Sequence, residues 1–320
     1  MTTKLRELGR TGIQISPLGL GVMQFTVGQG AFRIMFPGMA ASEMEEIIRT
    51  AAGGGITWYA TAEQHGSGRP DSALAGSLEQ AGMENREVVV AARWSSFLKT
   101  ARSLSKSLDS RLESLAPYDL DLYQVQSPGL FSSLDSVMNA LADLLDAGKI
   151  RAAGVSGFNP RQMRRAQAVL AERGWPLASN QVQYSLLNRA IESNGVLKAA
   201  RELGVTLIAS APLGSGLLTG RYHRDPEILS RVPAVRRRRL EAQLEITLPI
   251  VEALETIAGA HQTEPAQIAL SWVIHSQGDL VVALPGASRV DHARESVEAL
   301  QINLTEQEID TLDEISHTFR

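Results

Sequence analysis

The feature that most narrows the fold of this chain is a recurrence of short apolar runs separated by longer amphipathic stretches. The runs are Ile56–Tyr59, Val88–Ala92, Leu120–Val125, Ala152–Val155, Ala178–Val182, Thr206–Ala209 and Val281–Leu284. Rich in Val, Ile and Leu and without strict polar alternation, they suit strands buried on both faces of a parallel sheet. The intervening segments carry helical periodicity. In SSLDSVMNALADLLDAGK, the side chains of Leu134, Val137, Met138, Leu141, Leu144 and Leu145 share one helical stripe. Ser133 is placed to cap the start of that helix and Gly148 to stop it in the left-handed conformation. Ser42 with Glu45, and Thr305 with Glu308, have capping-box spacing and predict two further helix starts.

Strand and helix in alternation imply a parallel α/β architecture. A doubly wound sheet should carry a G-x-G-x-x-G turn directly after an early strand. The early glycines of LGLGVM (Gly19, Gly21) and AAGGGI (Gly53–Gly55) lie before or inside strand runs instead. About eight strand–helix units fit a (β/α)8 TIM barrel better. A length of 320 residues permits two domains, but no Pro/Gly/Ser-rich linker or composition step divides the chain. The expectation is one barrel domain over residues 1–320.

Composition removes several functional classes. A net charge of −4 gives no electrostatic reason to expect nucleic acid or an anionic membrane as partner. The absence of cysteine excludes disulfides, thiolate catalysis and thiolate metal sites. The 6 histidines lack the close spacing of a metal site, so no metal is expected. No apolar run reaches the roughly 18 residues of a membrane span, and the N-terminus lacks a signal-peptide core, so a cytoplasmic location is the expectation.

A barrel places its active site at the C-terminal ends of the strands. Those ends read Ala60 to His65, Arg93 with Trp94, Gln126 with Ser127, Ser156 with Gly157, Gln181 and Ser210. Of these groups only the His65 imidazole has an ordinary pKa near neutrality.

Several blocks in order resemble the aldo-keto reductase superfamily. LRELGRTGIQISPLGLGVMQF resembles its opening β-hairpin and first strand, and GGITWYATAEQHGSG its G-I-x-x-x-D-T-A-x-x-Y-G-x-G block. GKIRAAGVSGF, SNQVQYSLLNR, APLGSGLLTGRY and LPGASRVDHARESVEAL resemble four further blocks. The resemblance implies a barrel with an N-terminal hairpin, NADPH as cofactor and carbonyl reduction. It also implies a tetrad of aspartate, tyrosine, lysine and histidine. Carried over by position, these are Ala60, His65, Arg93 and Gln126, so all four differ.

The resemblance further places Ser156 and Gln181 at the nicotinamide amide, Ser210 where an aromatic residue stacks, and Leu213 and Gly214 in the loop around the pyrophosphate. Ser288, Arg289 and Arg294 fall where the 2′-phosphate and adenine are held, while Gly157 and Ser296 replace expected asparagines. Binding of NADP(H) therefore stays open, with the tail retained and the reactive ring short of a stacking partner. His65 can move protons without an activating lysine. Arg93 is a permanent cation suited to a carboxylate or enolate oxygen, and Gln126 can donate to a carbonyl. Without a carboxylate at Ala60, Arg93 needs another anion: Glu63, a substrate carboxylate or a phosphate.

The favoured expectation is cofactor-independent acid/base chemistry, a dehydration, isomerisation or cyclisation of lyase or cyclase type. It would act on a small anionic or carbonyl-containing molecule, with His65 as acid/base. The alternatives are an NADPH-dependent oxidoreductase with an atypical relay through His65, and a non-catalytic nucleotide-binding or regulatory protein. Trp58 and Trp94 are expected to pack at the barrel rim, with Trp94 a candidate pocket wall. His223, His261, His275, His292 and His317 are expected to be surface or capping residues, Arg236–Arg239 to be a solvated helix end, and Met23, Met35 and Met39 to lie by a long first loop.

Overall fold

The structure is a computed structural model that describes residues 3–23, 25, 39–62, 69–95, 99–126 and 132–320. A two-residue strand β1 (Arg6–Glu7) pairs antiparallel with β2 (Gln14–Ile15). Parallel strands follow: β3 (Leu20–Gly21), β4 (Trp58–Ala62), β5 (Val89–Ser95), β6 (Leu122–Gln126), β7 (Ala152–Ser156), β8 (Leu177–Gln183), β9 (Thr206–Ser210) and β10 (Val281–Leu284). They form one 8-stranded sheet in chain order. Its edges meet where Gly19 N donates to Ala283 O (2.9 Å), Ala283 N to Pro17 O (2.9 Å) and Gly21 N to Pro285 O (2.8 Å). The sheet therefore closes into a barrel and leaves no free edge.

All seven apolar runs are strands. Several strands extend past the run that announced them, β5 through Arg93, Trp94 and Ser95 and β6 to Gln126. The apolar criterion stops there because the last inward-facing positions line a polar mouth.

Helices wrap the sheet: α1 (Ala41–Gly53), α2 (Arg69–Gln80), α3 (Arg102–Leu115), α4 (Leu134–Asp146), α5 (Pro160–Ala171) and α6 (Val196–Leu203). Between β9 and β10 lie α7 (Arg221–Arg224), α8 (Pro226–Ser230), α9 (Ala234–His261) and α10 (Pro265–His275). The chain finishes with α11 (Val290–Ala299) and α12 (Glu306–Ile315). Among the described residues no helix is long and apolar enough to cross a membrane.

Local signals explain the helix ends. Ser133 Oγ accepts from Ser136 N (3.1 Å), and Gly148 takes φ +64° just past α4. Thr305 Oγ1 accepts from Glu308 N (3.2 Å) while Glu308 Oε2 accepts from Thr305 N (2.8 Å), a complete capping box. The Ser42–Glu45 box is corrected: α1 starts at Ala41, and the extended residue before it is Ala40. Ser42 is already inside the helix, so its hydroxyl is not at the cap.

Two apolar layers result. The main core fills the space between sheet and helices. A second cluster fills the barrel: Trp58, Ala60, Val89, Ala91, Leu122, Ala152, Ala178, Ile208 and Val282, with Leu8, Ile13 and Ile15 of the hairpin. The hairpin closes the end where strands begin. Gly9 N donates to Thr206 Oγ1 (2.7 Å), and the Arg6 guanidinium donates to the carbonyls of Val281 and Ile274 (both 2.6 Å). Trp58 is thus buried deep in the barrel, not at its rim, and its indole N–H donates to Ser16 O (2.9 Å). Gly19 makes room for it: a Cβ at that position would lie 2.2 Å from the indole.

Candidate active site

With one end of the barrel plugged, the other end is the mouth, and strand alternation decides which side chains reach it. On β5, Val89 and Ala91 belong to the barrel interior, whereas Val90, Ala92 and Trp94 face the helices. Arg93 therefore points inward. Trp94 points outward and is fully buried, so it is neither a rim residue nor a pocket wall; its indole nitrogen has no partner among the described residues. The same alternation brings Ala60, Gln124, Gln126, Ser156 and Ser210 inward on β4, β6, β7 and β9; on β8, where the pairing with β7 shifts register, Ser179 meets Gln124 inside the barrel and Gln181, two residues on, shares its face. The register sets Gln126 beside Ser156 and Ser156 beside Gln181.

Arg93 is half-buried, and burial pushes its pKa below the ordinary arginine value. Among the described residues no carboxylate or hydrogen-bond acceptor partners its guanidinium. Ser156 and Gln181 are 7% and 5% exposed, yet neither side chain is hydrogen-bonded among the described residues. Ser210 Oγ donates back to Val182 O (3.0 Å). Ala60 contributes no polar atom. The mouth therefore offers a desolvated cation, a hydroxyl and an amide that protein groups leave open. His65 and Glu63, with Gln64, Ser127 and Met35, lie outside the described residues.

Below this ring is a polar residue that the sequence reading passed over. Gln124 is buried inside the barrel and its side-chain nitrogen donates to Ser179 Oγ (3.1 Å) and Val155 O (3.3 Å). The signal was present in LYQVQ, whose two glutamines are two apart and so share a strand face.

Behind the mouth, Thr61 faces away from the barrel into a buried ion pair. Arg111 Nη2 of α3 donates to Asp71 Oδ1 of α2 (2.8 Å) and to Thr61 Oγ1 (2.9 Å), and Thr61 Oγ1 donates to Asp71 Oδ1 (2.5 Å). This network ties the end of β4 to two helices.

A groove of about 410 Å³ starts where β9 and β10 end. One wall is the loop after β9, whose backbone is left-handed at Ala211 (φ 51°), Gly214 (φ 55°), Ser215 (φ 59°), Gly216 (φ 97°) and Gly220 (φ 72°). Leu213 lines the groove, and Gly214 shapes the same loop. The other wall is the start of α11, with Ser288, His292, Glu295 and Ser296. Arg221 of α7 and Arg236 of α9 complete it; Arg236 Nη2 donates to Ser215 O (3.2 Å).

Arg289 and Arg294 both donate to Asp291 (3.0 Å each) and are exposed, and Ser288 beside Arg289 lines the groove. The cations that line it, Arg221 and Arg236, come from separate helices and gave no sequence signal as a pair. Arg236 is thus more than a solvated helix end. His292, expected at the surface or a cap, is half-buried and also lines the groove. Its Nε2 lies 3.2 Å from Arg221 Nη2, and its Nδ1 lies 3.4 Å from Ser288 N and 3.3 Å from Ser288 Oγ. Burial, then the nearby charges of Arg221 and Arg289, lower its pKa to about 4. Burial also raises the pKa of the Glu295 carboxyl.

These donors suit a phosphate-bearing nucleotide. Two guanidiniums and a hydroxyl line the groove, and α11 begins without a side-chain cap, with the His292 N–H donating to Arg289 O (3.1 Å) and, among the described residues, no side chain on the N–H groups of Val290 and Asp291.

Comparison with known proteins follows the same line. Residues 17–317 match the sequence profile of the Aldo/keto reductase family. An uncharacterised oxidoreductase of Mycobacterium tuberculosis is 32% identical over 310 residues, covering 96% of this chain and 91% of that protein. An aldo-keto reductase of Schizosaccharomyces pombe whose name specifies NADP(+) is 29% identical over 331 residues, covering 98% and 92% of the two chains. The crystal structure of a thermostable aldo-keto reductase in complex with the inhibitor epalrestat matches with a TM-score of 0.75 at 28% identity. That match covers 98% of this chain and 99% of the other.

These relatives overturn the expectation of cofactor-independent dehydration, isomerisation or cyclisation. They are named oxidoreductases and aldo-keto reductases, and none is named for lyase or cyclase chemistry. The expectation gave the replaced mouth residues too much weight and the intact groove too little.

Proposed function

We propose, from the premise that this chain belongs to the aldo/keto reductase family, that it is an NADP(H)-dependent oxidoreductase reducing a small carbonyl compound through a rebuilt proton relay. The observation that carries this reading is the groove at the ends of β9 and β10, where Arg221, Arg236, Ser288 and the start of α11 offer donors to a phosphate-bearing cofactor. When bound, the dinucleotide supplies the hydride for the carbonyl carbon.

The chain's own residues do the rest. Arg221 and Arg236 hold phosphate oxygens by charge-assisted hydrogen bonds. Ser156 and Gln181, open at the mouth and adjacent in register, hold a carboxamide edge. Gln126 donates to the substrate carbonyl oxygen, and Arg93 stabilises the negative charge that grows on it. A desolvated guanidinium is worth more there than in water, because little solvent screens it. His65, three residues beyond β4, delivers the proton to the nascent alkoxide. With an ordinary pKa of about 6.5, imidazole needs no lysine to act near neutrality.

The test is titration with NADPH followed by hydride consumption against a panel of aldehydes, ketones and oxo acids. Micromolar binding with turnover is expected, and His65→Ala should lower kcat by about 100-fold or more. No consumption with any carbonyl, despite tight NADPH binding, would sink the reductase reading in favour of a nucleotide sensor. Undiminished kcat in His65→Ala would remove that residue from the relay.

A further inference from the structure

Arg93 stands apart from most other buried or half-buried cations in the chain. Arg6, Arg111 and Arg189 each have an ion pair, with Asp279, Asp71 and Glu192 respectively. Arg93 has none among the described residues, although burial lowers its pKa and it faces the barrel interior. Its inward neighbours on the flanking strands are neutral. Ala60 and Ala91 are register partners on β4 and β5, and Gln124 pairs with Arg93 from β6. The Gln124 amide already donates to Ser179 and Val155 within the barrel. A half-buried charge held this way is costly until an anion joins it.

We infer that Arg93 is the carboxylate clamp of the substrate site, and that the preferred substrate is a small 2-oxo acid. This inference rests on the reductase reading above. A 2-oxo carboxylate presents one carboxylate oxygen and the carbonyl oxygen along a single edge. A guanidinium fork matches such an edge with two parallel N–H donors, which an ammonium cannot do. Gln126 stands two residues beyond Gln124, the register partner of Arg93, on the same face of β6, so the two side chains are diagonal neighbours about 7–8 Å apart at the backbone, and their polar ends can border one small molecule. On β4 Ala60, two residues before the register partner of Arg93, carries only a methyl group. In the reaction the C=O π bond breaks as carbon takes up a hydride and oxygen the proton that the relay delivers and solvent restores. The 2-oxo acid becomes a 2-hydroxy acid, and the reduced dinucleotide loses the same two electrons. The carboxylate is unchanged and stays on Arg93 throughout.

The experiment compares 2-oxobutyrate with its ethyl ester as substrates, and oxamate with its ethyl ester as non-reducible ligands in calorimetry. The acid is expected to exceed the ester in kcat/KM by about 30-fold or more, as for a desolvated charge pair. Arg93→Met should collapse that ratio and abolish the oxamate heat, while Arg93→Lys restores part of both. Ala60→Asp, which offers Arg93 an internal carboxylate, should raise the KM for the acid more than for the ester. Equal use of acid and ester, or a ratio unmoved in Arg93→Met, overturns the clamp while leaving the reductase reading intact. Should neither compound nor a neutral aldehyde consume hydride, the reductase reading fails. The oxamate titration then decides separately: binding lost in Arg93→Met keeps the anion site, and no binding removes it.

Discussion

Breaking the ion pair behind β4 should cost far more than deleting it whole. Asp71 and Arg111 are 2% and 4% exposed, and they meet at 2.8 Å with Thr61 bonded to both. In Asp71→Leu the guanidinium is left buried without its carboxylate, and in Arg111→Met the reverse. Either change should destabilise by about 3–5 kcal/mol, the range for one orphaned member of a buried pair. For 320 residues an unfolding entropy of about 2.1 cal/mol/K per residue turns 4 kcal/mol into a fall of about 6 °C in Tm. The double variant leaves no orphaned charge and fills the space with apolar atoms. Its cost should be about 2 kcal/mol, well below the sum of the singles, giving a coupling energy of several kcal/mol. Urea unfolding of the four proteins closes the cycle. Additive losses, or single variants within about 1 kcal/mol of wild type, would refute the claim that this pair is desolvated and coupled.

Three further outcomes follow from other parts of the molecule. Arg221→Met should weaken NADPH binding about 10-fold by calorimetry, and less at high salt, because it removes a charge-assisted phosphate contact. His292 has its pKa lowered to about 4 from 6.5 by burial and by Arg221 and Arg289, with Asp291 opposing and Glu295 nearby. The unfolded chain therefore takes up this proton first, so stability is full above pH 6.5 and falls as pH drops towards 4. After solvent screening the loss should be about 1–2 kcal/mol, seen as a shallower pH dependence of urea midpoints in His292→Gln. Gly19→Ala drives a Cβ to 2.2 Å from the Trp58 indole, and should yield little soluble protein, whereas Gly76→Ala, with open space, should express normally.

The architecture was legible because a barrel strand is buried on both faces, and seven of its strands declare themselves as apolar runs. β3, only Leu20–Gly21, was legible through resemblance alone, since a two-residue strand has no periodicity. The strand ends were hidden for a physical reason: Arg93, Ser95 and Gln126 are polar because they face the mouth, and polarity reads as loop. The groove was harder still. Arg221, Arg236 and His292 come together from α7, α9 and α11, and only the fold makes them neighbours. Arg289 and Arg294 read as phosphate ligands in the sequence, and the structure adds that both donate to Asp291 between them, which the spacing did not disclose.

The left-handed turns of the loop after β9 carry a consequence for how such a chain changes over generations. Ala211 and Ser215 hold a backbone conformation that costs about 1 kcal/mol for a residue with a Cβ, and Gly214, Gly216 and Gly220 hold it at little cost. A side chain larger than those present would add strain at each of these positions, so the loop tolerates few substitutions. The mouth is the opposite case. Ala60, Arg93, Gln126, Ser156 and Gln181 sit on regular strand backbone, where one side chain exchanges for another without moving the main chain. Side chains at the mouth can therefore be exchanged at less backbone cost than those of the loop beside it.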